Sequence, residues 1–306
     1  MSANKDALIL DIQRMSTEDG PGLRTTVFFK GCNLVCPWCH NPESIRSRPD
    51  LNWFGHKCIG CGICETACKQ GAVGRNAGLV KFNRVLCKAC GDCAEECPNG
   101  AIELKGKLMP VETLFRELAK DRPYFGADGG VTLSGGEVML QAEAAAALAR
   151  LLHEAGIGVA LDTAGCYDFR TLEAALPYTD LVLYDLKIFD PVEHKRIIGA
   201  DNRLILENYR RLIQAGARVW VRTPVIEGAT GSPANIRALG AFIREAGVPD
   251  KWELCSFNNL CRDKYERLDL DWQYKNAGLT RKEDIENLRN IAAEYVPCAV
   301  YSGTTV

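Results

Sequence analysis

The sequence predicts an α/β fold: a partial (β/α)6 barrel that carries a small cysteine-rich module inserted after its first strand. Three observations support this fold class. Six apolar, strand-like runs alternate with amphipathic patterns, which is typical of a parallel sheet built from βα units. Six units fall short of the eight that close a TIM-type barrel. No G-x-G-x-x-G follows the first run, which disfavours the alternative of a doubly wound dinucleotide-binding sheet.

The segments follow one another along the chain and are interrupted once, by the cysteine-rich stretch. We assign residues 1–51 and 106–306 to the partial barrel and residues 52–105 to the inserted module. The strand candidates span residues 23–29, 129–134, 156–162, 179–185, 217–222 and 251–257. The helix candidates span residues 111–121, 142–156, 169–176, 204–216 and 234–247.

The bulk composition describes a globular chain with no electrostatic reason to bind nucleic acid or a membrane. The 306 residues are 47% hydrophobic, and 37 basic residues against 39 acidic ones give a net charge of −2. The first ten residues are too short and too polar for a secretory signal. No run reaches the roughly 18 apolar residues of a membrane span. We therefore expect a cytoplasmic protein with neither nucleic acid nor membrane as a partner.

Cysteine is far more frequent than usual, with 15 residues, of which eleven lie between Cys32 and Cys97. Cytosolic thiols are kept reduced, so a high count there indicates metal binding rather than disulfides. A disulfide framework would also require a small secreted chain. The four cysteines outside the cluster are interpreted as small apolar side chains.

An internal repeat defines the inserted module. CIGCGICETACKQGAV begins at Cys58 and CKACGDCAEECPNGAI begins at Cys87, and their four cysteines align. The spacing C-x2-C-x2-C-x3-C is that of two-cluster ferredoxins, in which the fourth cysteine of each run binds the other cluster. The spacing therefore predicts two [4Fe–4S] clusters in a ferredoxin-like module. The first ligand set is Cys58, Cys61, Cys64 and Cys97, and the second is Cys68, Cys87, Cys90 and Cys93.

Three further cysteines follow the first strand candidate in the stretch GCNLVCPWCHNPE, namely Cys32, Cys36 and Cys39. A structural zinc site is closed by four ligands, so three thiolates are one donor too few. A [4Fe–4S] cluster held by three thiolates leaves one iron without a protein ligand, where an external molecule can bind. An iron–sulfur cluster is the favoured interpretation, and a zinc knuckle completed by His40 remains the alternative.

The segment CNLVCPWC, with Trp38 before the third cysteine, resembles the motif of the radical S-adenosylmethionine (SAM) superfamily. The longer stretch DGPGLRTTVFFKGCNLVCPWCHNPE, residues 19–43, resembles the signature of glycyl-radical-enzyme activating enzymes. The two four-cysteine runs resemble the subgroup with two auxiliary clusters. The resemblance covers essentially the whole chain and implies an oxidoreductase of anaerobic metabolism with three [4Fe–4S] clusters and SAM.

Polar residues or glycines end each strand candidate on the same side, where barrels of this type place their chemistry. In the family, a Gly-Gly-Glu contacts the SAM amino group, which by resemblance gives this role to Gly135, Gly136 and Glu137. Asp185 and Lys187 resemble the ribose and carboxylate contact, although an ion pair with a neighbouring acid is the alternative for Lys187. The other SAM-site residues are Trp38 and His40 beside the cluster, Asp162 and Thr163 at a possible monovalent cation, and Arg222.

One position departs from the family pattern. Where the family often has a histidine that approaches SAM after the sixth strand, this chain has Asn258. An asparagine side chain can donate and accept hydrogen bonds but does not titrate. The resemblance therefore supports a SAM contact at Asn258 and leaves a proton-transfer role in doubt.

The resemblance also implies the reaction and its partners. Reductive cleavage of SAM gives a 5′-deoxyadenosyl radical, which abstracts a Cα hydrogen from a glycine of a partner glycyl radical enzyme. The preferred partner is isethionate sulfite-lyase. The alternatives are choline trimethylamine-lyase, glycerol dehydratase and a fumarate-adding synthase. An external donor such as ferredoxin or flavodoxin would supply the electron. Two other classes of protein are the alternatives. A radical SAM enzyme that acts on a small molecule would leave the DGPG-x-R stretch unexplained. A ferredoxin-type electron carrier would leave the barrel unexplained.

Overall fold

The computed structural model describes residues 6–76 and 79–306. Residues 1–5, which we assigned to the barrel, and residues 77–78 of the insert lie outside the described residues. The strands are β1 (Asp6–Ser16), β2 (Arg24–Phe29), β3 (Asp50–Trp53), β4 (Val73–Asn76), β5 (Leu79–Phe82), β6 (Ile102–Lys105), β7 (Lys107–Pro110), β8 (Gly130–Gly135), β9 (Gly158–Thr163), β10 (Leu181–Asp185), β11 (Val219–Val225), β12 (Lys251–Ser256) and β13 (Ala299–Ser302).

The helices alternate with the strands of the main sheet, as the sequence predicts. They are α1 (Ile63–Ala67), α2 (Asp92–Glu95), α3 (Val111–Ala119), α4 (Ala142–Glu154), α5 (Arg170–Glu173), α6 (Pro191–Ile198), α7 (Arg203–Gln214), α8 (Pro233–Ala246), α9 (Arg262–Arg267) and α10 (Lys282–Ala293).

The main sheet has nine strands in the order β13-β12-β11-β10-β9-β8-β2-β1-β7. β2 and β8 through β13 run parallel to one another, whereas β1 pairs antiparallel with β2 and β7 pairs antiparallel with β1. The two ends of the sheet are different strands, so the barrel is open. The prediction of an α/β partial barrel is confirmed. All six predicted strands are present, and the sequence analysis missed β13 and the antiparallel pair.

Helix packing follows the apolar spacing of each helix. In α4, Ala145, Leu148, Ala149 and Leu152 are fully buried and recur at the helical period. They belong to the largest hydrophobic core, which the sheet shares with its covering helices. The predicted helix 169–176 is shorter than expected, because α5 ends at Glu173 and a single 3₁₀ turn with Pro177 follows.

The segment between β2 and β7 contains none of the strands of the main sheet. Its ends pair as antiparallel strands, with β3 facing β6 from Asp50 opposite Lys105 to Trp53 opposite Ile102. The pairing thus begins two residues before the predicted boundary at residue 52. The segment has a small hydrophobic cluster of its own, formed by Leu51, Cys64, Val73, Val80, Phe82, Cys93 and Ile102.

The two cysteine runs fold alike. α1 follows Gly62 at φ 80° and α2 follows Gly91 at φ 95°, the left-handed region that glycine adopts most easily. The amide of Ala72 donates to Cys68 Sγ at 3.2 Å, and the amide of Ala101 donates to Cys97 Sγ at the same distance. The repeat seen in the sequence is therefore a structural repeat.

In the described part of the chain, none of the helices has the length and hydropathy that a membrane span requires.

Candidate active site

The loop with Cys32, Cys36 and Cys39 begins directly after β2. Gly31 adopts φ +107°, its amide donates to the Ser44 carbonyl at 2.7 Å, and the Cys32 amide donates to the Ile45 carbonyl at 3.0 Å. A third hydrogen bond, from the Cys39 amide to the Cys36 carbonyl at 3.0 Å, closes the turn that contains Trp38. The chain thus reverses at the carboxyl end of the sheet and brings the three thiols together.

The three thiols line a cavity of about 320 Å³ at the carboxyl ends of β8 to β12. Burial raises the pKa of Cys32 to about 11 and that of Cys39 to about 12, and it also raises the pKa of Cys36. The thiols therefore stay protonated unless a positive metal centre binds the thiolates. Three half-buried sulfur donors beside an open cavity fit a [4Fe–4S] cluster with one iron free.

The Gly-Gly turn after β8 lines the same cavity. A Cβ at Gly135 would clash with the backbone of Phe29, and a Cβ at Gly136 would clash with the carbonyl of Gly31. Gly135 also adopts φ +114°. Both glycines are thus needed for close packing of β8 against β2 and the cysteine loop, and without side chains they let a ligand in the cavity approach the backbone of the turn.

Charged side chains connect four neighbouring strand ends on the cavity floor. Ser134 Oγ donates to Asp162 at 2.6 Å, and Arg222 donates to the other oxygen of the same carboxylate at 2.7 Å. Arg222 also lies 3.8 Å from Asp185, whose second oxygen accepts from Lys187 Nζ at 2.7 Å. The alternative for Lys187, an ion pair with a neighbouring acid, is therefore present, and that acid is Asp185 of the same motif.

Burial and pairing set the charges of this network. Burial raises the pKa of Asp162, and Arg222 opposes the increase. Burial alone would lower the pKa of Lys187, but Asp185 and Cys36 raise it above the ordinary value. The lysine side chain is only 8% exposed and pairs with Asp185 at 2.7 Å. The floor of the cavity therefore presents two cations next to the cysteine loop.

Glu137 does not line the cavity, although its motif does. Its carboxylate accepts from Thr163 Oγ1 at 2.8 Å, from the Ala164 amide at 3.0 Å and from the Met139 amide at 3.3 Å. Burial raises the pKa of Glu137 to about 7. The side chain is 1% exposed and ties the turn after β8 to the turn after β9. Its position fits a support for the two turns better than a contact with SAM.

Trp38 and His40 border the cavity from the loop side. Trp38 is 5% exposed and packs with Leu34 and Phe257 in a second hydrophobic cluster. His40 Nε2 lies 3.2 Å from the carbonyl of Asn258. Asn258 itself does not line the cavity, because its side chain accepts from the amide of Leu260 at 3.2 Å. The contact of Asn258 with a cavity-lining residue is thus made by its backbone carbonyl, to His40, and not by its side-chain amide.

The structure adds cavity residues that the sequence analysis did not single out. Cys255 and Ser256 come from the end of β12, and Pro224 comes from β11. Their positions near strand ends could have predicted that they line the cavity, since parallel strands end on one side of a barrel. Asn41, Ser44 and Ile226 give no such signal, because loop geometry alone brings them to the cavity.

In the insert, the eight cysteines surround two separate small cavities. Cys58, Cys61, Cys64 and Cys97 line the first, and Cys68, Cys87, Cys90 and Cys93 line the second. These are the two sets in which the spacing groups them. Within residues 6–76 and 79–306, no three Cys, His, Asp or Glu side chains are arranged to hold a single metal ion. The ligand sets therefore rest on spacing and donor chemistry.

A family model described as the radical SAM superfamily matches residues 26–237. The match includes the three-cysteine loop and the strand ends through Arg222. Among solved structures, SuiB of Streptococcus suis bound to S-adenosylmethionine has a TM-score of 0.51 at 14% identity. The similarity covers 65% of this chain and 45% of SuiB and shows the fold alone. The chain belongs to the radical SAM superfamily.

Relatives of similar length identify the group within the superfamily to which the chain belongs. The chain is 38% identical to the indoleacetate decarboxylase activating enzyme of Tractidigestivibacter scatoligenes, over 96% of this chain and 97% of the relative. It is 35% identical to the isethionate sulfite-lyase activating enzyme of Nitratidesulfovibrio vulgaris, over 94% of each. Within the superfamily, the chain is thus one of the glycyl-radical-enzyme activating enzymes, as the sequence resemblance implied.

Proposed function

We propose that this chain binds SAM in the cavity beside Cys32, Cys36 and Cys39, cleaves it reductively, and activates a glycyl radical enzyme by hydrogen abstraction. The observation that carries the proposal is that three half-buried thiols and a charged strand-end network line one cavity. When bound, a [4Fe–4S] cluster supplies an iron without a protein ligand and the electron that splits SAM into methionine and a 5′-deoxyadenosyl radical.

The charged network supplies the groups that orient SAM. Lys187 and Arg222 offer positive charge to the SAM carboxylate, and charge-assisted hydrogen bonds of this kind are the stronger ones. The open backbone at Gly135 and Gly136 suits the amino group, and Asp185 suits the ribose hydroxyls. Burial of the floor excludes water and strengthens each of these interactions.

A monovalent cation at Asp162 is part of the proposal, with a condition set by the structure. Both carboxylate oxygens of Asp162 already accept hydrogen bonds, one from Arg222 and one from Ser134. The hydroxyl of Thr163 donates to Glu137. A bound cation would therefore share the Asp162 oxygens with Arg222 and would weaken that ion pair.

The insert, residues 52–105, would hold two further [4Fe–4S] clusters, which brings the total to three. Cys61 and Cys90 are exposed, one in each set, so each cluster would have an edge that an external electron donor can approach. Ferredoxin or flavodoxin are donors of suitable chemistry. A reducing cytoplasm, where thiols remain free for metal, is the matching compartment.

The partner is a glycyl radical enzyme, and isethionate sulfite-lyase stays our first candidate. The names of the relatives do not separate it from other partners. The isethionate sulfite-lyase activating enzyme is 35% identical to this chain, and the benzylsuccinate synthase activating enzyme of Thauera aromatica is 37% identical. Identities this close carry no preference for one partner.

The test uses anaerobically reconstituted full-length protein with SAM and dithionite. We expect 5′-deoxyadenosine and methionine in the wild type and none in Cys32→Ala. Cys166→Ala is the matched control, since this half-buried cysteine lies near the loop but does not line the cavity. Absence of 5′-deoxyadenosine in the wild type would contradict the proposal.

A second arm of the test identifies the partner. Addition of a candidate glycyl radical enzyme should give the EPR doublet of a glycyl radical, and only when SAM and reductant are both present. Isethionate sulfite-lyase, choline trimethylamine-lyase and a glycerol dehydratase are compared side by side. SAM cleavage without a doublet for any glycyl radical enzyme would favour a small-molecule substrate.

A further inference from the structure

Two aromatic side chains that follow the last predicted strand hold the backbone of the cysteine loop. Tyr265 Oη donates to the carbonyl of Cys39 at 2.9 Å, and Trp272 Nε1 donates to the carbonyl of Pro37 at 2.9 Å. The two rings are stacked, with centroids 5.0 Å apart and an interplanar angle of 14°. The partners are 226 and 235 residues apart in sequence, so the fold, and not the local motif, creates the contacts.

Both hydrogen bonds lie in a buried, apolar environment. Tyr265 is 7% exposed and Trp272 is 2% exposed, and they share a hydrophobic cluster with Leu34 and Trp38 of the cysteine loop. The Tyr265 hydroxyl must be the donor, because the Cys39 carbonyl oxygen can only accept a hydrogen bond. An indole N–H can only donate. Each aromatic group therefore serves as a fixed donor to a loop carbonyl that can only accept.

A third contact strengthens the same connection. Lys264, next to Tyr265 on α9, donates from Nζ to Asn41 Oδ1 at 2.7 Å. Phe257, which lines the cavity, packs against Trp272 with ring centroids 6.1 Å apart. The loop is thus held from outside the cavity, since neither Tyr265 nor Trp272 is among the described residues that line it.

The two bonds fix more than the carbonyls. In a trans peptide the carbonyl and the following N–H point in opposite directions. Fixing the carbonyls of Pro37 and Cys39 therefore also fixes the N–H groups of Trp38 and His40, on either side of the last cysteine. Hydrogen bonds to the sulfurs are one of the factors that set the reduction potential of an iron–sulfur cluster.

We propose that Tyr265 and Trp272 are positioning residues, which fix the loop of Cys36 and Cys39 and thereby the electronic properties of the cluster it holds. This inference rests on the proposed function, because it concerns the same cluster. Both residues lie outside residues 26–237, the part of the chain that the superfamily model matches. The elements that carry the superfamily motifs therefore do not include this support.

The test compares Tyr265→Phe with Tyr274→Phe as a matched control. Tyr274 belongs to the same aromatic group, with its ring 6.3 Å from Trp272 and 5.7 Å from Phe257. Its hydroxyl makes no hydrogen bond to residues 32–41, all of which the structure describes. Both variants remove one phenol oxygen and keep the ring, so they differ mainly in the bond to Cys39.

The readouts use anaerobically reconstituted holoenzyme. We expect Tyr265→Phe to keep the wild-type iron content and the EPR signals of the insert. It should shift the EPR spectrum and midpoint potential of the SAM-binding cluster and speed its loss of iron to a chelator. The kcat of SAM cleavage should fall about 3- to 10-fold with little change in KM, the range that one neutral hydrogen bond supports. Tyr274→Phe should match the wild type in every readout.

Trp272→Phe is the second variant, because it removes the other donor and keeps an aromatic ring in the stack. It should change the same cluster in the same readouts, and it decides the question if Tyr265→Phe fails to fold. Equal behaviour of Tyr265→Phe, Trp272→Phe and Tyr274→Phe overturns the inference. A wild type that does not cleave SAM instead overturns the proposed function, so the two failures are distinguishable.

Discussion

Replacing Arg222 by methionine removes a positive charge from the centre of the strand-end network. The guanidinium lies 2.7 Å from Asp162 and 3.8 Å from Asp185, and its side chain is 17% exposed. Methionine is an unbranched side chain that can fill much of the same space without charge. The substitution therefore tests the charge of Arg222 with little change in packing.

The structure sets the expected size of the effect. Removing one partner of a buried ion pair costs about 3–5 kcal/mol, because it leaves a charge without compensation. Asp162 is 15% exposed and keeps its hydrogen bond from Ser134 at 2.6 Å, so we expect a loss near the lower end, about 3 kcal/mol. Without Arg222 the pKa of Asp162 should rise further, and the carboxyl should bind a proton.

The assay measures the thermal midpoint and SAM cleavage of the reconstituted protein. Arg222→Met should lower Tm by about 5 °C and reduce SAM cleavage about 100-fold, since a charged contact of SAM is lost. Adding Asp162→Asn to Arg222→Met should restore most of Tm and none of the activity. Arg218→Met is the matched control, because its ion pair with Asp250 is 62% and 44% exposed and is worth about 1 kcal/mol or less.

Two results would refute this reasoning. A Tm for Arg222→Met equal to that of Arg218→Met would show that the buried pair does not stabilise the fold. Recovery of activity in the double variant would show that Arg222 only neutralises Asp162 and has no role toward SAM.

Three further predictions follow from other parts of the structure. Burial raises the pKa of Glu137 from 4.5 to about 7, so the free energy of unfolding of the cluster-free protein should fall as pH rises between these values. Glu137→Gln should reduce this pH dependence, measured by urea unfolding at several pH values. An unchanged pH dependence would contradict the raised pKa of Glu137. Arg84 of the insert donates to the Arg267 carbonyl at 3.2 Å and pairs with Asp269 at 3.0 Å. Arg84→Ala should therefore raise the rate of amide hydrogen exchange in α9 about tenfold and leave the rate in β8 unchanged. The same exchange rate in α9 for the variant and the wild type would show that Arg84 does not hold the insert against this helix. Cys90→Ala should lower iron content by about a third and preserve SAM cleavage; loss of all three clusters would contradict a separable insert.

The six strands of the barrel could be predicted because they are apolar, several residues long and followed by amphipathic helices. β7 and β13 have four residues each, too few for a reliable period, and β1 is a partly exposed antiparallel strand without clean alternation. The early end of α5 could also have been anticipated, because Pro177 cannot continue a helix.

At the site, residue type and strand-end position identified the charged network, since chemistry collects at one end of parallel strands. Side-chain direction was beyond such reasoning. The Glu137 carboxylate accepts from Thr163 outside the cavity, and Asn258 contacts His40 through its backbone carbonyl and not through its side-chain amide. The support from Tyr265 and Trp272 depends on contacts across more than 220 residues, which no local pattern reveals.

The central claim is that the loop of Cys32, Cys36 and Cys39 leaves one iron free for SAM. Electron–nuclear double resonance of the reduced protein, with SAM labelled with ¹⁵N at its amino group, tests it most directly. The account predicts a hyperfine coupling between the label and the cluster in the wild type and in Cys166→Ala, and none in Cys32→Ala. A wild type without that coupling, or one that binds only zinc, would contradict it.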